Sequence, residues 1–198
     1  MEITTEQVKQ LREATGAGIM DCREALKQTG GDVSKAVAYL REKGLAKASK
    51  KADRQASDGV IGSYIHHNNR VAVLVELNSE TDFVARTPDF TSLAQTLAMH
   101  VAMANPRYLE PGDVPAKVLD AERAMYRKEA ESTNKPSQVI DRIVEGKLEK
   151  FYDDVCLLRQ PYIKDDKLQI GDLVSQAVAK LGENIVIRRF IRYEIGGE

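Results

Sequence analysis

Residues 60–77 read VIGSYIHHNNRVAVLVEL. Val60–Ile65 and Val71–Leu77 are rich in β-branched side chains, which suit a half-buried pleated surface. Between them, HHNNR carries Asn68-Asn69, and asparagine tolerates turn conformations. The pattern predicts a β-hairpin. Upstream of Gly59 lie a helical segment and a polar connector, so the pattern changes to strands here and the fold class with it.

Upstream, Thr4 and Gln7 stand in capping-box register, each side chain able to satisfy the other's free backbone N–H. Ile3 and Val8 occupy the positions of a hydrophobic staple. This first helix runs to about Thr15 and stops at Gly16, where a glycine takes the left-handed conformation. A second helix fits Ile19–Gln28, stopped by Gly30-Gly31. A third fits Val33–Lys43, capped by Asp32 and stopped by Gly44. Val33, Val37 and Leu40 share one face of it. Leu11, Ile19 and Leu26 supply the facing surfaces. The expected division is a three-helix domain over 1–44, a basic linker over 45–58, and an α+β core over 59–198.

Downstream, NSETDFVART (78–87) leads from the second strand to Pro88, a good first residue for a helix. Loops lie on the surface, yet this one holds Phe83. Either that ring folds back into the core or another molecule meets it. Helices fit Pro88–Ala104, Lys117–Glu131, Pro136–Asp154 and Ile170–Lys180. RQPYIKDD interrupts the helical pattern. The last segment, NIVIRRFIRYEI, reads as a strand. Ile191, Tyr193 and Ile195 face one way, Arg192 and Glu194 the other, and Arg188-Arg189 breaks the alternation as a bulge would. Pairing this strand with the hairpin gives a sheet of about three strands, enough to be stable with helices on one face. The expected class is therefore α+β, a helical domain followed by a core with a small antiparallel sheet.

The totals bound the function. The 198 residues are 42% hydrophobic and 30% charged, as in an ordinary globular protein. Lys and Arg number 29 against 30 Asp and Glu. A dedicated nucleic-acid binder needs an excess of positive charge. The basic run containing Lys47, Lys50, Lys51 and Arg54 reads as a solvated face. Cys22 and Cys156 form no CxxC pair, which argues against zinc and against a disulfide framework. No stretch is long and apolar enough to span a membrane, and a cytoplasmic protein is expected.

The search for chemistry returns little. His66 and His67 are adjacent, and adjacent residues on a strand point to opposite faces, so both cannot grip one ion unless the turn intervenes. His100 lies among aliphatic residues in a helix. Neither arrangement has metal-ligand spacing. The glycine pair of TGAGIMDC lacks the Lys-Ser/Thr of a phosphate loop; it reads as a helix stop and restart, with Met20 at the corner. No cofactor, metal or catalytic residue is expected, and a binding protein is favoured.

Three segments resemble the elongation factor Ts family: LREATGAGIMDCREAL (11–26), TDFVAR (81–86) and GENIVIRRFIRYE (182–194). The resemblance covers essentially the whole chain, in the family's order, and matches the short form with a single core subdomain. It implies an N-terminal domain like the ubiquitin-associated fold, ahead of an α+β core. It implies guanine-nucleotide exchange on elongation factor Tu in translation elongation, without covalent chemistry. By resemblance, Arg12, Ile19 and Met20 dock on the GTPase. Thr81, Asp82, Phe83 and Val84 dislodge its Mg²⁺, so that GDP leaves and GTP can bind. A homodimer is expected from the short form. The alternative is a nucleic-acid-binding module built from the helical domain and basic linker, which the balanced charge disfavours.

Overall fold

The structure is a computed structural model describing residues 3–132 and 135–197. Three helices come first: α1 (Thr5–Thr15), α2 (Ile19–Gln28) and α3 (Val33–Ser49). The hairpin strands β1 (Asp58–Ile65) and β2 (Val71–Ser79) follow, then a four-residue helix α4 (Asp82–Ala85) and a long helix α5 (Pro88–Ala104). Next come α6 (Ala116–Glu131), α7 (Ser137–Val155), the short strands β3 (Pro161–Tyr162) and β4 (Asp165–Gln169), α8 (Ile170–Leu181) and β5 (Val186–Glu194). The class is α+β, as expected. β1, β2 and β5 pair in that order, and β3 pairs antiparallel with β4. Asn69 takes positive φ at the hairpin tip, and the Asn68 side chain accepts from the Arg70 backbone N–H.

The chain divides into two compact units. One gathers Met1–Ser63, Leu74–Leu97 and Asp172–Ile191. Its first three helices enclose Leu11, Cys22, Ala25, Leu26 and Ala36, with Ile3 and Val8 packed against them. The Thr4–Gln7 capping box forms, and Gly16 closes α1 in the left-handed conformation. Two details differ from the sequence expectation. α3 buries Ala36 rather than Val37, since the close approach of three short helices favours a small side chain. And α3 passes through Gly44 to Ser49. Glycine inside a helix costs about 1 kcal/mol relative to alanine, but Gly44 is buried, and a Cβ there would lie 3.7 Å from the Ala179 Cβ of α8. Packing, not a stop, explains this glycine. Elsewhere in the unit Val75, Leu77, Phe90, Leu93, Leu97, Val178, Ile185 and Ile187 are buried. Gly62 lets β1 lie directly on α5: a Cβ would fall inside contact distance of the Ala94 carbonyl. Arg189 pairs with Glu76 across β5 and β2 at 2.6 Å. Ile187 is buried while Arg188 and Arg189 are both exposed, so the side-chain alternation of β5 breaks where expected.

The other unit gathers Tyr64–Val73, Ala98–Gly171 and Arg192–Glu198. α6 and α7 run antiparallel, with ion pairs Arg127–Asp141 and Arg123–Glu145 along their seam. Ala130, Ile140, Val144 and Leu148 are buried between them. Segment 159–166, which reads from sequence as a mere interruption, includes part of the β3–β4 pair. His100 is fully buried. Its Nε2 stands 3.0 Å from Gln160 Oε1, and the Gln160 amide donates to the carbonyls of Ala104 and Asp154. Its Nδ1 has no hydrogen-bond partner. Burial lowers the pKa of this imidazole, against the smaller raising effect of Gln160.

Candidate functional site

The segment after β2 is built from short-range hydrogen bonds. The Ser79 hydroxyl, fully buried, donates to the Thr81 carbonyl at 2.9 Å. Thr81 is extended and serves as N-cap of α4, its Oγ1 accepting from the Val84 N–H. Arg86 pairs with Asp82 one turn back at 2.8 Å. Thr87 then donates to the Val84 carbonyl and accepts from the Phe90 N–H, joining the end of α4 to the start of α5. Along α4 only Ala85 is buried. Phe83 is 80% exposed, so it is not a core residue of this chain.

A second set of bonds reaches this turn from the end of the chain. The Glu183 carboxylate accepts from the Thr81 N–H at 3.0 Å and from the Thr81 hydroxyl at 2.6 Å. The neighbouring Asn184 N–H donates to Glu80 at 2.6 Å, and its side-chain amide donates to the carbonyls of Ala52 and Arg54. Glu183 and Asn184 belong to GENIVIRRFIRYE, and nothing in the sequence marks these contacts. No local spacing connects a residue to another 102 positions away. The four-residue α4 is likewise a loop by sequence pattern and a helix in the structure. The available cue is Thr81, a good N-cap residue, ahead of the short run Asp82–Ala85.

The other expected contact residues flank the α1–α2 turn. Arg12 lies in the last turn of α1. Ile19 and Met20 begin α2 and are 57% and 76% exposed. Ile19, expected from its spacing to face the three-helix core, does not reach it. Gly18 opens the helix without a side-chain cap, and it is Cys22, Ala25 and Leu26 of α2 that are buried. Asp21, next along, binds Lys47 at 3.0 Å and Lys43 at 3.2 Å. Its carboxyl is held below the usual range, first by the Lys47 hydrogen bond.

Among the described residues no cluster of histidine, cysteine and carboxylate side chains could hold a metal ion. The His66 ring bonds Tyr64 and lies 4.2 Å from the His67 ring. Both cysteines are buried, and burial raises both thiol pKa values. Among the described residues no helix is long and apolar enough to cross a membrane. On the strands, Ile61 of β1, Leu74 of β2 and Ile191 of β5 are exposed apolar residues of the first unit.

The class so defined is an α+β protein that carries exposed apolar side chains on tightly braced turns. A family model described as "Elongation factor TS" matches residues 2–197. Elongation factor Ts of Fervidobacterium nodosum is 53% identical over 196 residues, covering 99% of this chain and 100% of the relative. That of Herpetosiphon aurantiacus is 53% identical, covering 99% of each. That of Coprothermobacter proteolyticus is 53% identical, covering 99% of this chain and all of the relative. The chain belongs to the elongation factor Ts family.

Proposed function

We propose that this chain is a guanine-nucleotide exchange factor for elongation factor Tu in translation elongation and carries out no covalent chemistry. The observation that carries the mechanism is Phe83, a large apolar residue left in solvent on a turn braced at Thr81 by bonds from Ser79 and Glu183. Thr81–Val84 is the element that disturbs the Mg²⁺ site of the GTPase. Mg²⁺ demands near-ideal octahedral geometry and neutralises phosphate oxygens, so a small displacement of its surroundings lowers GDP affinity. Burying a phenylalanine contributes about 1.5–3 kcal/mol, one or two powers of ten. A wider interface that favours the nucleotide-free GTPase supplies the rest. By linkage, a chain that weakens GDP binding has its own binding weakened by GDP to the same extent.

Residues 1–44 act as the docking domain, with Arg12, Ile19 and Met20 as contacts. Residues 45–58, which begin with the end of α3, form the linker and 59–198 the exchange and dimerisation core. The exposed Ile61, Leu74 and Ile191 support self-association through the sheet, since an open apolar sheet face is ordinarily covered. Three of the linker's four basic groups are engaged internally: Lys47 with Asp21, Lys51 with the Gly182 carbonyl and Arg54 with Glu80. That favours a partner protein over nucleic acid, in the cytoplasm. The test is release of fluorescent GDP from elongation factor Tu with and without this chain. Acceleration that saturates with chain concentration is expected; unchanged release refutes the reading.

A further inference from the structure

We propose that Glu183 is a positioning residue that holds the Thr81 turn in its contact-ready form, so that Phe83 is presented without a prior ordering step. The inference rests on the reading of Phe83 as the partner contact. A four-residue helix has no stability of its own, because fixing the first helical turn is unfavourable. α4 must therefore be held from outside. The Glu183 carboxylate takes both polar hydrogens of Thr81, from its N–H at 3.0 Å and its hydroxyl at 2.6 Å. The hydroxyl has one proton. Committing it to Glu183 turns an oxygen lone pair toward the Val84 N–H, the capping bond of α4. The side chain thus sets the rotamer of the cap as well as its backbone. Hydrogen bonds to an ionised acceptor are the stronger kind.

Glu183 is itself held. Its neighbour Asn184 is buried, with its N–H on Glu80 and its amide on the carbonyls of Ala52 and Arg54. Lys51 donates to the carbonyl of Gly182, on the other side. Residues 182–184 form a bracket between the end of α3 and the turn. Nothing in the fold of the unit needs both Thr81 bonds: Thr81 and Glu183 are only half-buried, so water can satisfy the same groups. What water cannot supply is one fixed direction for the turn. A contact residue that is ordered before binding spares the complex the entropy of ordering it.

The experiment is a double-mutant cycle read in fluorescent GDP release from elongation factor Tu, with thermal melts of every variant. The chains are the parent, E183A, E183Q, F83A and E183A/F83A. Because water replaces much of what the two bonds supply, E183A is expected to exchange roughly tenfold more slowly than the parent at limiting chain concentration. E183Q keeps an acceptor of the same shape and recovers part of that loss. The decisive arm is the double variant. If Glu183 acts only by presenting Phe83, E183A has no further effect once the ring is gone, and E183A/F83A exchanges as slowly as F83A alone. A general structural role would slow both backgrounds equally. Additive effects in the cycle, or E183A at the parental rate, overturn the proposal while F83A alone still reports the contact. F83A at the parental rate removes the reading of Phe83, and this proposal with it.

Discussion

Replacing Phe83 with alanine separates the two places a phenylalanine can act. The ring is 80% exposed, so about one-fifth of its transfer free energy, roughly 0.3–0.6 kcal/mol, is realised within the chain. In a protein of this size about 1 kcal/mol corresponds to some 2–4 °C. The melting midpoint of Phe83→Ala should therefore fall by no more than about 2 °C. The remaining four-fifths, roughly 1.2–2.4 kcal/mol, is available only on burial against a partner. Binding to nucleotide-free elongation factor Tu should weaken by about seven- to sixtyfold, measurable by calorimetry or by the concentration giving half-maximal GDP release. A core phenylalanine behaves in the opposite way, costing about 3–5 kcal/mol of stability on truncation. A midpoint lowered by about 6 °C or more, or unchanged affinity for the GTPase, refutes the reasoning.

Three further outcomes are expected. His100 is neutral and buried in the folded chain with its pKa lowered from 6.5; the unfolded chain therefore binds its proton first, and stability falls as pH drops below about 6.5. His100→Leu should flatten that slope in urea titrations between pH 7 and 5, even though it leaves the Gln160 Oε1 without its His100 partner and lowers stability overall. Gly62→Ala forces β1 away from α5, because its Cβ meets the Ala94 carbonyl, and should cost about 1–3 kcal/mol or more in chemical denaturation. If the exposed sheet residues form the self-contact, Leu74→Asp should shift sedimentation toward monomer at micromolar concentration without changing the circular dichroism spectrum.

What could be read from sequence, and what could not, follows the range of the interactions. The Thr4–Gln7 box, the Gly16 stop and the Asn69 turn are each decided within a few residues, and the structure has them. Gly44 is different. Its meaning depends on Ala179, 135 positions away by residue number, and a local reading can only take it for a helix stop. Ile19 fits a helical stripe by spacing, but the stripe cannot tell which three-helix corner is left open. The same holds for the candidate site. The cap residue Thr81 and the anomalous Phe83 are visible in a ten-residue window. The carboxylate that orients them is not, because nothing near Glu183 marks its partner. β3 and β4 are short enough to show no period at all.

The bracket at 182–184 also has a consequence in time. During synthesis the turn is made long before its brace, since Thr81 and Glu183 are 102 residues apart. At about 5–20 residues per second, translation leaves that interval at roughly 5–20 s. Through it the Phe83 turn has only its own short-range bonds, and β2 is paired with β1 but not yet with β5. Helices α1–α3, enclosing their own small core, need not wait. A prematurely terminated chain would thus retain the early helices yet lack the braced ring. Until residue 183 has been made, the Thr81 turn cannot take its braced form, whereas the three-helix core can already close.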